Sequence, residues 1–399
     1  MTEPAPVAAT AITVMAQVPP YFSSDRTGMR MKGGVKQTAF FPVIGPVAQS
    51  FRIHNTYLKP WIISDPDEEY GAISEAAGLI DVTGEEVVEV AGPDATRLME
   101  RLVVRNVTKM RDGTCRYAVM CYDSGGIVED AVLAKFSPDR YWWIGGPATA
   151  EQWIFENSRS LDVTVRSYLD RIHVASLQGP ASRAILQKLC DVDLDEVPYY
   201  GLVPVAAVAG VHTTITRTGF TAELGYDIYV DVSDAVALFQ ALLNAGRGEG
   251  LKMCGSCALD RRRVEAGIIN VGQDFDWATN PFEVGLGWMV DFAKPEFRGR
   301  DALQAVAGAG ARRRLVGLRA PLGRPLERAI PVFANGRNVG VVTSSAVSPA
   351  VGASLGMAIV AREVSGVGGR LVVGEERQAV DVEIVEMPFL DAHRSRAKA

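Results

Sequence analysis

The feature that most constrains the fold of this chain is a pattern that occurs twice. An alternating apolar run leads into Gly92-Pro93 and then 94–102, and a second leads into Gly179-Pro180 and then 181–189. The alternation predicts a strand, glycine permits a sharp turn, and proline presets φ for the first helical position. The sequence therefore predicts a duplicated α+β unit, each copy reading strand, turn and helix.

Further strands are predicted after each of these helices. The first set is 117–121, 130–136 and 141–144, and the second set is 203–208, 212–218 and 226–230. A helix over 233–245 follows, with Ser233 as its predicted N-cap.

The residue pattern changes after about residue 305, where short runs typical of β-strands alternate with turn residues. Asn335-Gly336 between apolar runs is a strong hairpin signal. The predicted strands are 315–318, 331–333, 339–343, 357–360, 370–373 and 380–385. This pattern indicates a separate C-terminal β-barrel or small β-sandwich.

Length and composition limit the class of protein. A chain of 399 residues exceeds what one hydrophobic core usually organises, so we expect two or three domains. With 48% hydrophobic and 22% charged residues, it is typical of packed globular enzymes. The formal net charge of −6 argues against nucleic acid as a partner. The apolar runs are too short for a membrane span, so we expect no membrane partner.

The cysteines favour a cytoplasmic location. Their number, five, is odd and they are scattered, which does not resemble a disulfide framework. Cys254 and Cys257 form one C-x-x-C, which is either a metal or redox site or a pair of ordinary small residues at a helix entry. Because no second pair follows, we expect no metal. Residues 1–34 are predicted to form a flexible arm.

Glu129 and Asp130 are the first candidates for chemistry. They follow the glycine turn Gly125-Gly126, with Tyr117 upstream. A carboxylate beside aromatic rings in a partly dry site is suited to stabilising a developing cation. The alternative is a solvated hairpin turn.

A second group of candidates lies further along the chain. Glu223 lies between glycines with Phe220 nearby, and a carboxylate accepts two parallel N–H bonds from a heterocycle edge. Arg263 precedes Glu265, an arrangement also common on solvated helix faces. Trp288 is either a wall for a planar ligand or a core residue.

Taken together, these segments resemble the glycine cleavage T-protein (aminomethyltransferase) family over roughly residues 45–390. The motifs that carry the resemblance are 117–121 with 125–130, 217–226, 263–267 with 272–274, 280–288 with 299–303, and 335–349.

The resemblance implies an α+β fold in which three domains form a ring around a central hole that holds tetrahydrofolate. The implied domains are 35–83 plus 170–300 as a discontinuous folate-binding domain 1, 84–169 as an inserted α+β domain 2, and 301–399 as a C-terminal β-barrel domain 3. It also implies roles for individual residues. Glu223 would hold the pterin, Tyr117 and Trp288 would wall it, Asp130 would lie by the reacting nitrogens, and Phe220 and Arg263 would contact the cofactor.

Two departures separate the chain from the T-protein pattern. The family has Asp-Val-Ser-His-Met where this chain has the run 81–86, and Tyr where Val271 stands. The chain is closer to the dimethylsulfoniopropionate demethylase branch in the segments 54–60, 81–82 with Glu85, 115–117, 142–144, 272–276 and 387–389.

That resemblance implies methyl transfer from a small S-, N- or O-methylated substrate to N5 of tetrahydrofolate. The expected substrate residues are Tyr57, His54, Trp142 and Trp143. One alternative is aminomethyl transfer from a lipoyl carrier protein, giving 5,10-methylenetetrahydrofolate. The other is a non-catalytic folate-binding protein.

Overall fold

A computed structural model describes residues 34–146, 149–375 and 379–399. Almost all of the predicted N-terminal arm, 1–33, therefore lies outside the described residues. Among the described helices, none has the length and apolar character that crossing a membrane requires.

The described chain begins with a small three-stranded sheet. Its strands are β1 Lys36–Gln37, β2 Ser50–His54 and β3 Tyr57–Ile62, in the order β1-β3-β2, with helix α1 Phe41–Ile44 between the first two. Helix α2, Pro66–Glu75, starts where the Asp65 carboxylate accepts the N–H groups of Asp67 and Glu68. Proline at its first position and an aspartate cap fix this start.

The next segment of the chain contains the first copy of the repeat. Its elements are β4 Ala77–Asp81, β5 Glu86–Ala91, α3 Ala95–Leu102, β6 Thr114–Cys121, β7 Ile127–Ser137, β8 Arg140–Gly145, α4 Ala150–Ser158 and β9 Thr164–Ser167. Strands β5 to β9 form a five-stranded sheet in the order β6-β7-β8-β5-β9.

The second copy follows directly. Its elements are β10 Ile172–Gln178, α5 Ser182–Gln187, β11 Leu202–Val208, β12 Val211–Thr216, β13 Gly225–Asp231, α6 Ala235–Gly246, the 3₁₀ turn Arg247–Glu249, β14 Leu251–Cys254 and α7 Ser256–Glu265. Its six-stranded sheet has the order β11-β12-β13-β10-β4-β14.

The two sheets confirm the predicted duplication. In each, a strand leads through a short helix into a three-stranded meander whose last strand pairs with the first: β6-β7-β8-β5 corresponds to β11-β12-β13-β10. Gly92 has a φ of +139° and Gly179 a φ of +125°, a backbone region that favours glycine. The same glycine turn therefore follows the first strand of both copies.

The prediction for Ser233 is wrong. Helix α6 starts at Ala235 with Asp234 at its N-cap, and the Ser233 hydroxyl donates instead to the Asp231 carboxylate. Serine hydroxyls compete for such local partners, which moves the helix start by a residue or two.

The sheets of the two copies face each other across a shared apolar cluster. The cluster contains Trp142 and Ile144 from the first sheet and Val174 and Tyr229 from the second. The rings of Trp142 and Tyr229 have centroids 5.7 Å apart. The inner faces of both sheets therefore border one internal region.

The C-terminal part is a closed six-stranded barrel, as predicted. Helix α8, Arg300–Ala309, leads into it, after the 3₁₀ turn Gly287–Met289. Its strands are β15 Arg313–Pro321, β16 Pro331–Ala334, β17 Arg337–Ser348, β18 Ala353–Ala361, β19 Arg370–Val373 and β20 Val380–Val385, in the order β15-β18-β17-β16-β19-β20. The 3₁₀ turn Arg362–Val364 follows β18, and α9, Ser395–Lys398, follows the barrel. Asn335 and Gly336 both have positive φ, as their hairpin turn requires.

Candidate functional site

Strand register brings two carboxylates onto the inner face of the first sheet. Gly145 pairs with Glu86 on one side and with Ala131 on the other. The residues one step before these partners, Glu85 and Asp130, therefore flank Gly146 in the same cross-strand row. Two strand spacings separate their backbones by about 10 Å. Residues in such a row point to the same face of a sheet. The space over Gly146 is filled by Val271, whose Cγ1 would lie 2.7 Å from a Cβ at this glycine.

Asp130 has the geometry of an acid–base residue. The Tyr117 hydroxyl donates to Asp130 Oδ2 at 2.5 Å. Burial raises the pKa of Asp130 to about 6, and the Tyr117 hydrogen bond opposes this by stabilising the charged form. A carboxyl group titrating near neutral pH both accepts and returns a proton readily.

Of the two predicted catalytic carboxylates, the structure brings only Asp130 to this face. Alternation along β7 sends the side chain of Glu129 to the opposite side of the sheet. There its Oε2 accepts from Trp143 Nε1 at 3.0 Å, and the residue is 1% exposed. Burial raises the pKa of Glu129 to about 8. The pairing of Glu129 with Asp130 at one site is corrected accordingly.

The second sheet contributes a carboxylate that the sequence analysis did not select. Asp227 lies on β13, facing the first sheet beside Tyr229, and its oxygens accept from Ser176 at 2.6 Å and Thr218 at 2.7 Å. Burial raises its pKa, and its charge raises that of Glu85 in turn. The signal in the sequence was an aspartate on the inner side of an otherwise apolar alternation in β13.

Glu223 lies in a buried ionic network. Its Oε1 accepts from Arg262 at 2.5 Å and from Arg396 at 2.9 Å. Arg262 also pairs with the buried Glu265, whose Oε1 accepts from the Tyr70 hydroxyl at 2.8 Å. Burial raises the pKa of Glu223 and the two arginines lower it. A pterin contact at Glu223 stays a prediction, but this carboxylate already has two cationic partners.

Arg263 connects helix α7 to the barrel. It donates to Asp274 at 2.9 Å and to Ser344 of β17 at 2.9 Å, and it is 1% exposed. It also donates to Asp260 of α7 and to Gln273 in the loop after that helix, both at 2.5 Å. A cofactor contact at Arg263 stays a prediction.

The predicted aromatic walls are placed apart. Trp288 is 67% exposed, with the Arg105 guanidinium 5.1 Å from its ring centroid, and Arg105 donates to the Tyr117 carbonyl oxygen at 2.7 Å. Trp288 therefore lies at the surface, and Arg105 lies between its ring and the backbone of Tyr117. Phe220 packs at the edge of the apolar cluster between the sheets.

The predicted substrate residues divide into two groups. Trp143 is fully buried on the outer face of its sheet, and Trp142 packs within the inter-sheet cluster while donating to Glu89 at 3.0 Å. Tyr57 is 2% exposed and donates to Asp170 at 2.8 Å. These three residues are held by protein partners.

Two of the predicted substrate residues line openings. Tyr57 borders a cavity of about 410 Å³ together with Lys36, Asp170 and His173. His54 borders a cleft of about 250 Å³, whose other lining residues are Arg52, Ile53, Asn270, Val271, Gly272, Gln273 and Arg328. Burial, together with the positive charges of Lys59 and Arg52, lowers the pKa of His54 to about 3. His54 is therefore a neutral group near neutral pH.

Two families of known domains match the chain. Residues 29–294 match the GCVT N-terminal domain, and residues 313–391 match the glycine cleavage T-protein C-terminal barrel domain. The aminomethyltransferase of Halothermothrix orenii is 35% identical over 327 residues, covering 81% of this chain and 91% of that protein. The aminomethyltransferase of Bacillus subtilis is 33% identical over 339 residues, covering 83% and 92%.

A solved structure shares the fold. The glycine cleavage system aminomethyltransferase T from Bartonella henselae superposes with a TM-score of 0.83 at 22% identity, over 90% of this chain and 98% of that one. This likeness confirms the predicted α+β fold class with its C-terminal barrel.

The relatives correct the predicted reaction. Those with 33–36% identity to this chain are named aminomethyltransferase, so the prediction of a demethylase acting on a small methylated substrate is wrong. Two of the segments that resembled the demethylase branch, 54–60 and 142–144, consist mainly of strand residues with protein partners.

Proposed function

Because the chain belongs to the glycine cleavage T-protein family, we propose that it is an aminomethyltransferase that passes a one-carbon unit to tetrahydrofolate and releases ammonia. Tetrahydrofolate is the cofactor that this family uses, as the sequence predicted. The observation that carries the proposal is the 35% identity to an aminomethyltransferase across 81% of the chain. The placement of Asp130 on the inner face supports it.

We propose that polar residues between the two sheets contact a reduced pterin. Each oxygen of Asp227 accepts one hydroxyl and keeps a second lone-pair direction, so the carboxylate retains capacity for a pair of N–H donors. Tyr117 and Tyr229 supply aromatic surface, and Asp130 lies on the facing sheet. We therefore propose Asp227 as a pterin-binding carboxylate, alongside the earlier candidate Glu223.

Tetrahydrofolate, when bound, supplies the nitrogen atoms that receive the one-carbon unit. The role of the protein is to orient donor and acceptor and to exclude water, which raises the effective concentration of the reacting groups. Asp130 would accept at its Oδ atoms a proton that an acceptor nitrogen loses and return it to the departing amine. The proton from the second nitrogen would end on the departing lipoyl sulfur, so that the donor leaves as dihydrolipoyl. The Tyr117 hydroxyl would keep Asp130 oriented and largely ionised.

We propose a lipoyl arm of a carrier protein as the donor. The cleft beside His54 is about 250 Å³ and lies between strand β2 and the loop after α7. An opening of this size fits an extended arm, whereas the carrier protein itself would remain outside. The five cysteines are all free, which supports a reducing, cytoplasmic setting for this reaction.

The test uses the full chain with tetrahydrofolate and an aminomethylated lipoyl carrier protein. We expect 5,10-methylenetetrahydrofolate and ammonia in equal amounts, detected by mass spectrometry and an ammonia assay. Formation of 5-methyltetrahydrofolate, or no folate product at all, would refute the proposal.

A pair of variants separates the two pterin-binding candidates. Asp227→Asn should weaken tetrahydrofolate binding about tenfold or more, because the amide replaces a charged acceptor by a neutral group. Glu223→Gln should lower stability more than affinity, because its partners are Arg262 and Arg396. Calorimetry of tetrahydrofolate binding and thermal unfolding of both variants distinguish the two outcomes.

A further inference from the structure

The cleft beside His54 is lined by arginine and amide side chains. Arg52 comes from β2, and Arg328 comes from the loop between β15 and β16. Asn270 and Gln273 come from the loop after α7. None of the lining residues that the structure describes is an aspartate or a glutamate. Three parts of the chain therefore bring N–H donors and positive charge to one opening.

Arg52 is a partly buried cation whose guanidinium has no acceptor in the described chain. Its Nε is buried without a hydrogen-bond partner, and no ion pair of this side chain is found in residues 34–146, 149–375 and 379–399. The guanidinium carbon lies 5.1 Å from the ring centroid of Trp61. Burial lowers the pKa of Arg52 and the charge of Asp260 opposes this, but the Asp260 carboxylate accepts from Arg263 at 2.5 Å. A buried N–H without an acceptor is costly, which favours an acceptor from outside the protein.

Arg328 is positioned by the loop after α7 and keeps free donors. Its Nη2 donates to the Gly272 carbonyl oxygen at 2.6 Å, and this is the one hydrogen bond of its side chain to a described residue. A guanidinium carries five N–H donors, so most of those of Arg328 stay available. The Oε1 atom of Gln273 accepts from Arg263 at 2.5 Å, which leaves the Nε2 donors of this amide without a described partner. The groups that remain available at the cleft are therefore mainly donors.

We propose that this cleft binds a small oxyanion, a carboxylate or a phosphate group, between Arg52 and Arg328. Guanidinium groups bind such oxygens through paired N–H···O bonds, which would satisfy Arg52 and use the free donors of Arg328. An anion is favoured over a cation because the described lining offers positive charge and no carboxylate. The inference goes beyond aminomethyl transfer and does not rest on it. Because the lipoyl arm is proposed to use the same opening, a bound oxyanion would exclude the arm.

The test is titration calorimetry of the full chain with inorganic phosphate, succinate and succinamide, at constant ionic strength and without other oxyanions. Succinamide resembles succinate in shape but carries no charge. We expect phosphate or succinate to bind at least about tenfold more tightly than succinamide, because only the anions form charge-assisted hydrogen bonds. Tighter binding of phosphate would identify a phosphate compound as the ligand class, and tighter binding of succinate would identify a carboxylic acid.

Variants of the two arginines test whether the anion binds at this cleft. Arg52→Gln and Arg328→Gln should each weaken binding of the preferred anion about tenfold or more, because each removes a charged donor. Arg337→Gln is the matched control, since Arg337 is an exposed arginine of β17 that does not line the cleft, and it should leave the affinity unchanged. Arg328 is exposed, so R328Q stays decisive even if R52Q folds poorly. Circular dichroism and thermal unfolding verify folding in each case.

Two results would overturn the proposal. One is binding of both anions no tighter than that of succinamide. The other is unchanged anion affinity in a well-folded Arg52→Gln or Arg328→Gln protein, which would place the anion elsewhere. Failure of the aminomethyl transfer assay would leave both measurements unaffected, because they use neither folate nor carrier protein, so the two proposals fail independently.

Discussion

Replacing Arg262 by methionine tests whether the network around Glu223 stabilises the junction of three parts of the chain. Arg262 is 2% exposed and pairs with Glu223 and Glu265, which are 5% and 0% exposed. Glu265 also accepts from Tyr70 of α2 and from Ser348 of the barrel, and Glu223 accepts from Arg396. Removal of the arginine therefore leaves two buried carboxylates near each other.

The expected loss follows from these contacts. Breaking a buried ion pair by removing one partner costs about 3–5 kcal/mol, because the remaining charge stays buried. Glu223 keeps Arg396 and Glu265 keeps two hydroxyl donors, so we expect a value in the lower half of that range. With a urea dependence of about 3 kcal/mol per molar, the unfolding midpoint should fall by about 1 M.

The pH dependence gives a second readout. Arg262 lowers the pKa of Glu223 in the wild type, so the variant should have a Glu223 pKa further above its unfolded value. A carboxyl whose pKa is raised in the folded state gains stability as pH falls. The deficit of the variant should therefore shrink between pH 7 and pH 5.

The matched control is Arg171→Met, which removes an exposed pair with Asp231 at 3.1 Å. Exposed pairs of this kind contribute less than about 1 kcal/mol. Urea unfolding followed by circular dichroism compares the two proteins. An Arg262→Met midpoint no lower than that of Arg171→Met would refute the reasoning.

Further predictions concern the site and the repeat. Asp130→Asn should lower kcat for methylenetetrahydrofolate formation at least about 100-fold with little change in folate affinity; retention of a tenth of the activity would contradict the assigned role. The acid limb of kcat/KM should reflect the Asp130 pKa of about 6 and move to higher pH in Tyr117→Phe, because the lost hydrogen bond stabilised the carboxylate. Glu129→Gln, on the outer face, should retain activity within about threefold. Gly179→Ala should lower the unfolding temperature measurably, at a cost of about 1–3 kcal/mol, since its φ is +125° and a Cβ would lie 2.6 Å from the Ala76 carbonyl oxygen.

Local patterns predicted most of the fold. The Gly-Pro turns, the meander strands and the Asn335-Gly336 hairpin depend on neighbours in sequence, and the structure contains all of them. Ser233 failed as a cap because Asp231 offered its hydroxyl a nearer partner. Strands and helices predicted from periodicity are observed where tertiary packing favours the same structure. A predicted cap fails when its side chain hydrogen-bonds to another acceptor.

The site was less accessible to sequence reasoning. Glu129 and Asp130 look equivalent as a pair, and only the pleat of β7 sends them to opposite faces. Asp130 and Asp227 lie on separate sheets, so their spacing in the chain does not predict that they face the same interior. Glu223 and Arg396 are 173 residues apart, and their contact depends on how the chain after the barrel packs.

The duplication has a consequence for how this protein performs chemistry. Asp130 comes from one copy of the repeat and Asp227 from the other, so the proposed site depends on both copies. A small change in the angle between the two sheets would change the distance between the Asp130 and Asp227 carboxylates without replacing either residue. Substitutions in the apolar cluster between the two sheets, away from the reacting atoms, could therefore change which molecules the protein binds.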